Sequence, residues 1–189
     1  DEWKIADAAF KTIEPHVPYV LCSGNHDMGY SPQLRKTCQS RVSQFSRYFP
    51  PSRFTENSLY DAHFALDKQG HFREAGKTEN YYLSFQAGGM DFMVITLEFK
   101  PRDEAIAWAN QVAEKHPNHR IVLVTHGYLT KKGRLSGSDG YPIKGNSGQA
   151  IWEKFVSRHS NIFLVLSGHA GESRLTSEGR HGNLVHQIQ

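Results

Sequence analysis

Val17-Pro18-Tyr19-Val20-Leu21-Cys22-Ser23-Gly24-Asn25-His26-Asp27 is an apolar run that stops at a glycine followed by an amide, an imidazole and a carboxylate. Two later runs end the same way: Ile121–Thr125 leads into His126-Gly127, and Ile162–Ser167 into Gly168-His169. Strands rich in Val, Ile and Leu that end in a glycine-bearing loop with a ligand-type side chain are how α/β proteins place chemistry at the carboxyl ends of their strands. Three such endings in one chain predict convergence on a single site.

Working outward from these runs, the chain reads as alternating helix and strand. Trp3, Ile5, Ala6, Ala9, Phe10 and Ile13 recur at helical spacing before Pro15 and Pro18. The run Val17–Cys22 reads as a strand. Ser31-Pro32 reads as an N-cap with proline in the first turn, opening a helix to Tyr48 that ends at Pro50-Pro51 and takes in Cys38. Residues 52–78 are polar and aperiodic, with one strand expected near Leu59–Phe64. Tyr81–Gln86 and Asp91–Phe99 flank Gly88-Gly89 as a hairpin.

A helix is expected from Asp103 to Lys115, and another from Gln149 to Arg158. Between them lies a Gly/Ser/Lys-rich loop from Leu129 to about Ser147, long enough to be functional. Ser173–Thr176 and Leu184–Ile188 read as a second hairpin.

Bulk composition narrows the class. A length of 189 residues suits one domain with a sizeable core, and a net charge of +3 with no Lys/Arg block excludes a nucleic-acid-binding surface as the organising feature. No apolar run has membrane-spanning length. Two cysteines and no CxxC pattern exclude a disulfide scaffold and a thiolate metal site, while leaving one bridge open.

Gly24-Asn25-His26-Asp27, His126-Gly127 and Gly168-His169, in this order and strand context, resemble three motifs of the calcineurin-like metallophosphoesterases. Leu97-Glu98-Phe99 with Pro101–Glu104, and Trp152-Glu153-Lys154 with Leu166–His169, resemble a bacterial, exported branch, which implies a secreted or periplasmic location. The resemblance implies an α/β fold with a β-sandwich flanked by helices. It makes Asn25, His126 and His169 ligands of one ion in a two-metal site, His26 the group that assists the leaving oxygen, and Asp27 its orienting partner. Amide and imidazole donors suit divalent Zn, Mn or Fe. A pair of such ions binds a phosphate ester and activates water for in-line attack. The implied activity is hydrolysis of phosphomonoesters or phosphodiesters.

The departures carry equal weight. The family's DxH and GDxxD motifs, which supply the carboxylate ligands, occur nowhere in the 189 residues, and the chain opens directly on helix-type sequence, Asp1-Glu2-Trp3-Lys4. Together these predict a single partial domain, residues 1–189, lacking its N-terminal strands, with an uncovered sheet face prone to self-association. The family's closing GHxH is here Gly168-His169-Ala170-Gly171, leaving Glu172, His181 and His186 as substitutes for the missing ligand. All three retained ligands are neutral, so the chain alone is expected to hold at most one ion, weakly, and to turn over little substrate.

Blander readings exist for each residue. Asn25 suits a turn beside glycine, His26 and Asp27 suit a surface ion pair, and His126 and His169 suit satisfied core histidines at strand ends. A rival from another class is a binding or structural module that keeps the fold after losing catalysis. An oxygen-activating metal protein fares worse, for want of two histidines and a carboxylate at suitable spacing.

Overall fold

The computed structural model describes residues 2–56, 71–137 and 140–189. The strand expected near Leu59–Phe64 lies outside the described residues.

Seven strands form one mixed sheet in the order β1-β2-β3-β4-β5-β7-β6. They are β1 (His71–Phe72), β2 (Tyr81–Ala87), β3 (Met90–Thr96), β4 (Arg120–Gly127), β5 (Ile162–Gly168), β6 (Arg174–Glu178) and β7 (Leu184–Ile188). The expected hairpins are present: β2 pairs antiparallel with β3 across Gly88-Gly89, and β6 with β7. The interior pairs β3–β4, β4–β5 and β5–β7 are parallel. The helices are α1 (Glu2–Ile13), the single turns α2 (Phe45–Tyr48) and α3 (Ser52–Thr55), α4 (Asp103–Lys115) and α5 (Gly148–Lys154). The protein is thus mixed α/β, a sheet flanked by helices. A second sheet, which a sandwich requires, is not among the described residues.

Alternation along the strands sets two faces. Met93, Ile95, Ile121, Leu123, Val165 and Val185 point to one side and are buried under Ala105, Ile106, Ala109 and Val112 of α4 and Ile151 and Phe155 near α5. These α4 positions follow the 3.6-residue period, so one stripe of the helix meets the sheet. On the opposite side, Phe54, Tyr81 and Leu83 pack with Tyr19 and Val20. Farther along, Leu166 and Ile188, register neighbours on β5 and β7, stand 39% and 49% exposed. Around these two residues that side of the sheet is apolar and open among the described residues.

Two expected elements are absent. Val17–Cys22 is not a strand, because no backbone ladder among the described residues pairs with it. Its Leu21 N–H donates instead to the Tyr81 hydroxyl (2.9 Å), which donates in turn to the Leu21 carbonyl (3.2 Å). The helix expected from Ser31 to Tyr48 is reduced to α2. Ser31 does cap, accepting from the Leu34 N–H at 3.3 Å, but the chain then folds back so that Ser31 and Lys36 exchange backbone hydrogen bonds. Arg35 and Cys38 adopt left-handed backbone (φ 50° and 57°), which a helix cannot continue through. Cys38 therefore lies in a buried turn, and both cysteines are free thiols.

Candidate functional site

Parallel pairing puts the carboxyl ends of β4 and β5 side by side, with Gly127 opposite Gly168. His126 sits at the end of β4, and His169 follows β5 in a left-handed conformation (φ 84°). That turn swings the His169 imidazole back towards its neighbour. The Gly24 loop brings Asn25 onto both.

The three side chains meet. Asn25 Oδ1 lies 2.8 Å from His126 Nε2 and 3.2 Å from His169 Nδ1, and the two ring nitrogens are 3.3 Å apart. Donor atoms at ~2.0–2.2 Å from one cation are separated by roughly 2.8–3.1 Å in octahedral and 3.3–3.6 Å in tetrahedral arrangements. The triangle therefore has the dimensions of one face of a coordination shell. Two imidazoles and an amide oxygen suit a borderline divalent ion. Among the described residues no group of three or more His, Cys, Asp or Glu is placed to hold a metal, and the donors that converge here include no carboxylate or thiolate.

The surroundings fix each donor. Asn25 is nearly buried, and its amide Nδ2 donates to the Tyr141 hydroxyl at 2.8 Å, which turns Oδ1 towards the histidines. The His126 ring lies in a slot between backbones: a Cβ at Gly24 would come within 3.1 Å of it, and one at Gly168 within 3.4 Å. Buried Phe99 packs against His126, His169 and Tyr141, with ring centroids 5.4–5.5 Å apart. Behind it, buried Glu98 pairs with Arg102 (2.9 Å) and Arg41 (3.2 Å), and Arg41 donates to the Lys100 carbonyl, anchoring the end of the β3 segment.

Burial, then the nearby His169 and His26 charges, lowers the His126 pKa to about 4, so this imidazole is neutral at pH 7. Neutrality is the state a ligand needs.

His26 is exposed beside this cluster, and Asp27 is half-buried. The Asp27 carboxylate accepts the Gly24 N–H at 2.7 Å, closing the one-turn 3₁₀ helix Asn25–Asp27. Burial raises its pKa, the Gly24 hydrogen bond and the His26 charge opposing. The expected orienting contact is thus electrostatic, and the hydrogen bond of Asp27 holds the loop instead. The Cys22 thiol is pushed up to about 12 by burial, with Asp27's charge adding to it, and is inert.

Gly171, where the family motif has histidine, has φ 93°, a conformation that side chains rarely adopt. The suggested substitutes do not fill the gap. His181 hydrogen-bonds the Arg158 carbonyl, His186 bonds Thr176 Oγ1, and Glu172 is exposed. Tyr141 and Phe99 went unread as site residues. The one available signal was a lone aromatic in the polar loop after β4, and an aromatic closing the run after β3.

No protein-family model matches the chain. It is 30% identical over 196 residues to the uncharacterized protein YvnB of Bacillus subtilis (strain 168), across 99% of this chain. The chain spans 13% of that relative's length.

Proposed function

We propose that this chain carries the Asn25–His126–His169 part of a divalent-cation centre in a calcineurin-like phosphoesterase that hydrolyses phosphate esters. The observation carrying this reading is the donor triangle, with edges of 2.8, 3.2 and 3.3 Å, built from residues 101 and 144 positions apart in sequence. Cations held there would neutralise the ester's charge and activate water. Asn25 and the two imidazoles bind and orient. Exposed His26, next to Asn25, stands at the position from which a leaving oxygen would take a proton. Phe99 and Tyr141 exclude water from the inner side of the triangle. A second layer over the open face of the sheet would complete the sandwich of that family, and export from the cell would agree with its bacterial branch.

A second reading is favoured by Gly171 and the neutral donors: a binding module that keeps the geometry without catalysis. Zinc and manganese titrations monitored by histidine NMR, with aryl-phosphate hydrolysis measured on the chain together with its native flanking sequence, separate the two. The phosphoesterase reading expects His126 and His169 resonances to shift together at one ion per chain, and turnover that Asn25→Ala abolishes. Coupled shifts without turnover favour the module. Absence of any coupled shift refutes both.

A further inference from the structure

Asn25, one corner of the donor triangle, lines a groove of about 1140 Å³ whose walls also include His26, Trp3, Tyr30, Arg35, Lys36 and Tyr141. That volume exceeds what a phosphate on a small alcohol fills. Three features give the groove a chemical preference. The first is a displayed ring: Tyr30 is 61% exposed and has neither a hydrogen bond nor a ring contact among the described residues. Exposed rings beside cations are how proteins stack flat heterocycles. The second is charge, since Arg35 and Lys36 face the same space and, among the described residues that line it, are opposed by a single carboxylate, Glu2.

The third feature is rigidity. The turn carrying Leu34, Arg35 and Lys36 is closed by the Ser31–Lys36 backbone pair. It is tied back by Cys38 N–H to the Met28 carbonyl (2.8 Å) and by Gly29 N–H to the Val42 carbonyl (2.7 Å). Cys38 Sγ also donates to the Asn25 carbonyl at 3.1 Å. The wall of the groove and the metal-type donor Asn25 are therefore one hydrogen-bonded unit, with their separation set by backbone.

We infer that this groove is a nucleotide subsite: a base stacks on Tyr30, a phosphate not being cleaved lies against Arg35 and Lys36, and the scissile phosphate reaches Asn25. The assignment rests on the phosphoesterase reading for the cleaved bond, but the groove itself is testable without it.

The protein is titrated calorimetrically with ADP, adenosine and pyrophosphate in the presence of a chelator, so that no cation contributes. ADP is expected to bind at least tenfold more tightly than either fragment. Tyr30→Ala should weaken ADP about five- to tenfold, Tyr30→Phe should restore it, and Arg35→Gln should weaken ADP and pyrophosphate alike. Tyr30 and Arg35 lie on the surface, so circular dichroism is expected to show each variant folded. Equal affinity for ADP and pyrophosphate, indifference to Tyr30→Ala, or no binding at millimolar ADP would each overturn the subsite. Those results leave cation binding and aryl-phosphate turnover unaffected, so failure of the groove is distinguishable from failure of the phosphoesterase reading.

Discussion

Acidification should destabilise this protein through His126, in a pH window that the site itself defines. The imidazole titrates near its ordinary value, about 6.5, in the unfolded chain and at about 4 when folded. Well above pH 6.5 neither state binds the proton and His126 adds no pH dependence. Between the two values the unfolded chain binds a proton that the folded one refuses, so stability falls as pH falls. The loss attributable to His126 is about 1.4 kcal/mol at pH 5.5 and about 3 kcal/mol at pH 4.

Urea denaturation of the wild type and His126→Gln, with chelator present throughout, isolates this contribution. His159, also held low by burial, acts in the same direction, and Asp27, held high, acts in the opposite one. Both are present in either protein and cancel in the difference. The gap between wild type and variant should therefore narrow by about 3 kcal/mol from pH 7 to pH 4. Parallel loss of stability in the two proteins would mean that His126 is solvated and protonates freely, and the tight triangle would be wrong.

Two further perturbations follow from the same coordinates. Tyr141→Phe removes the acceptor that turns the Asn25 amide and leaves the aromatic packing on Phe99 in place; zinc affinity by calorimetry should drop roughly ten- to a hundredfold while the melting temperature stays within a few degrees, and an unchanged affinity would remove Tyr141 from the site. Self-association through the open sheet face, if it occurs, should be abolished by the pair Leu166→Lys and Ile188→Lys in sedimentation experiments; dimers that persist in this variant would place the contact elsewhere.

How far the sequence could be read depends on what holds each element. Strands β4 and β5 and helix α4 were legible because their apolar periods match the faces they bury, and Gly88-Gly89 marked the first hairpin. Val17–Cys22 misled because its composition is strand-like while the group that ties its backbone to the sheet is a phenol 60 positions away, which no local pattern encodes. Ser31 misled for a related reason: its side chain caps a turn as readily as a helix, and the left-handed residues at 35 and 38 are not glycines. The donor triangle was legible as a set of residue types at the ends of apolar runs. Its support was not, since Tyr141 and Phe99 reach it from a polar loop and from the end of an apolar run.

The two imidazoles and the amide are anchored very unequally. His126 and His169 stand at the ends of neighbouring laddered strands, whereas the arm bearing Asn25 is fastened by the phenol of Tyr81 at Leu21, a thiol at the Asn25 carbonyl and a second phenol at its amide. Ladder protons are the last to exchange with solvent, so the amide protons of the arm should exchange before that of Leu123. The centre thus joins two kinds of bond, backbone ladders behind the imidazoles and side-chain hydrogen bonds behind the amide.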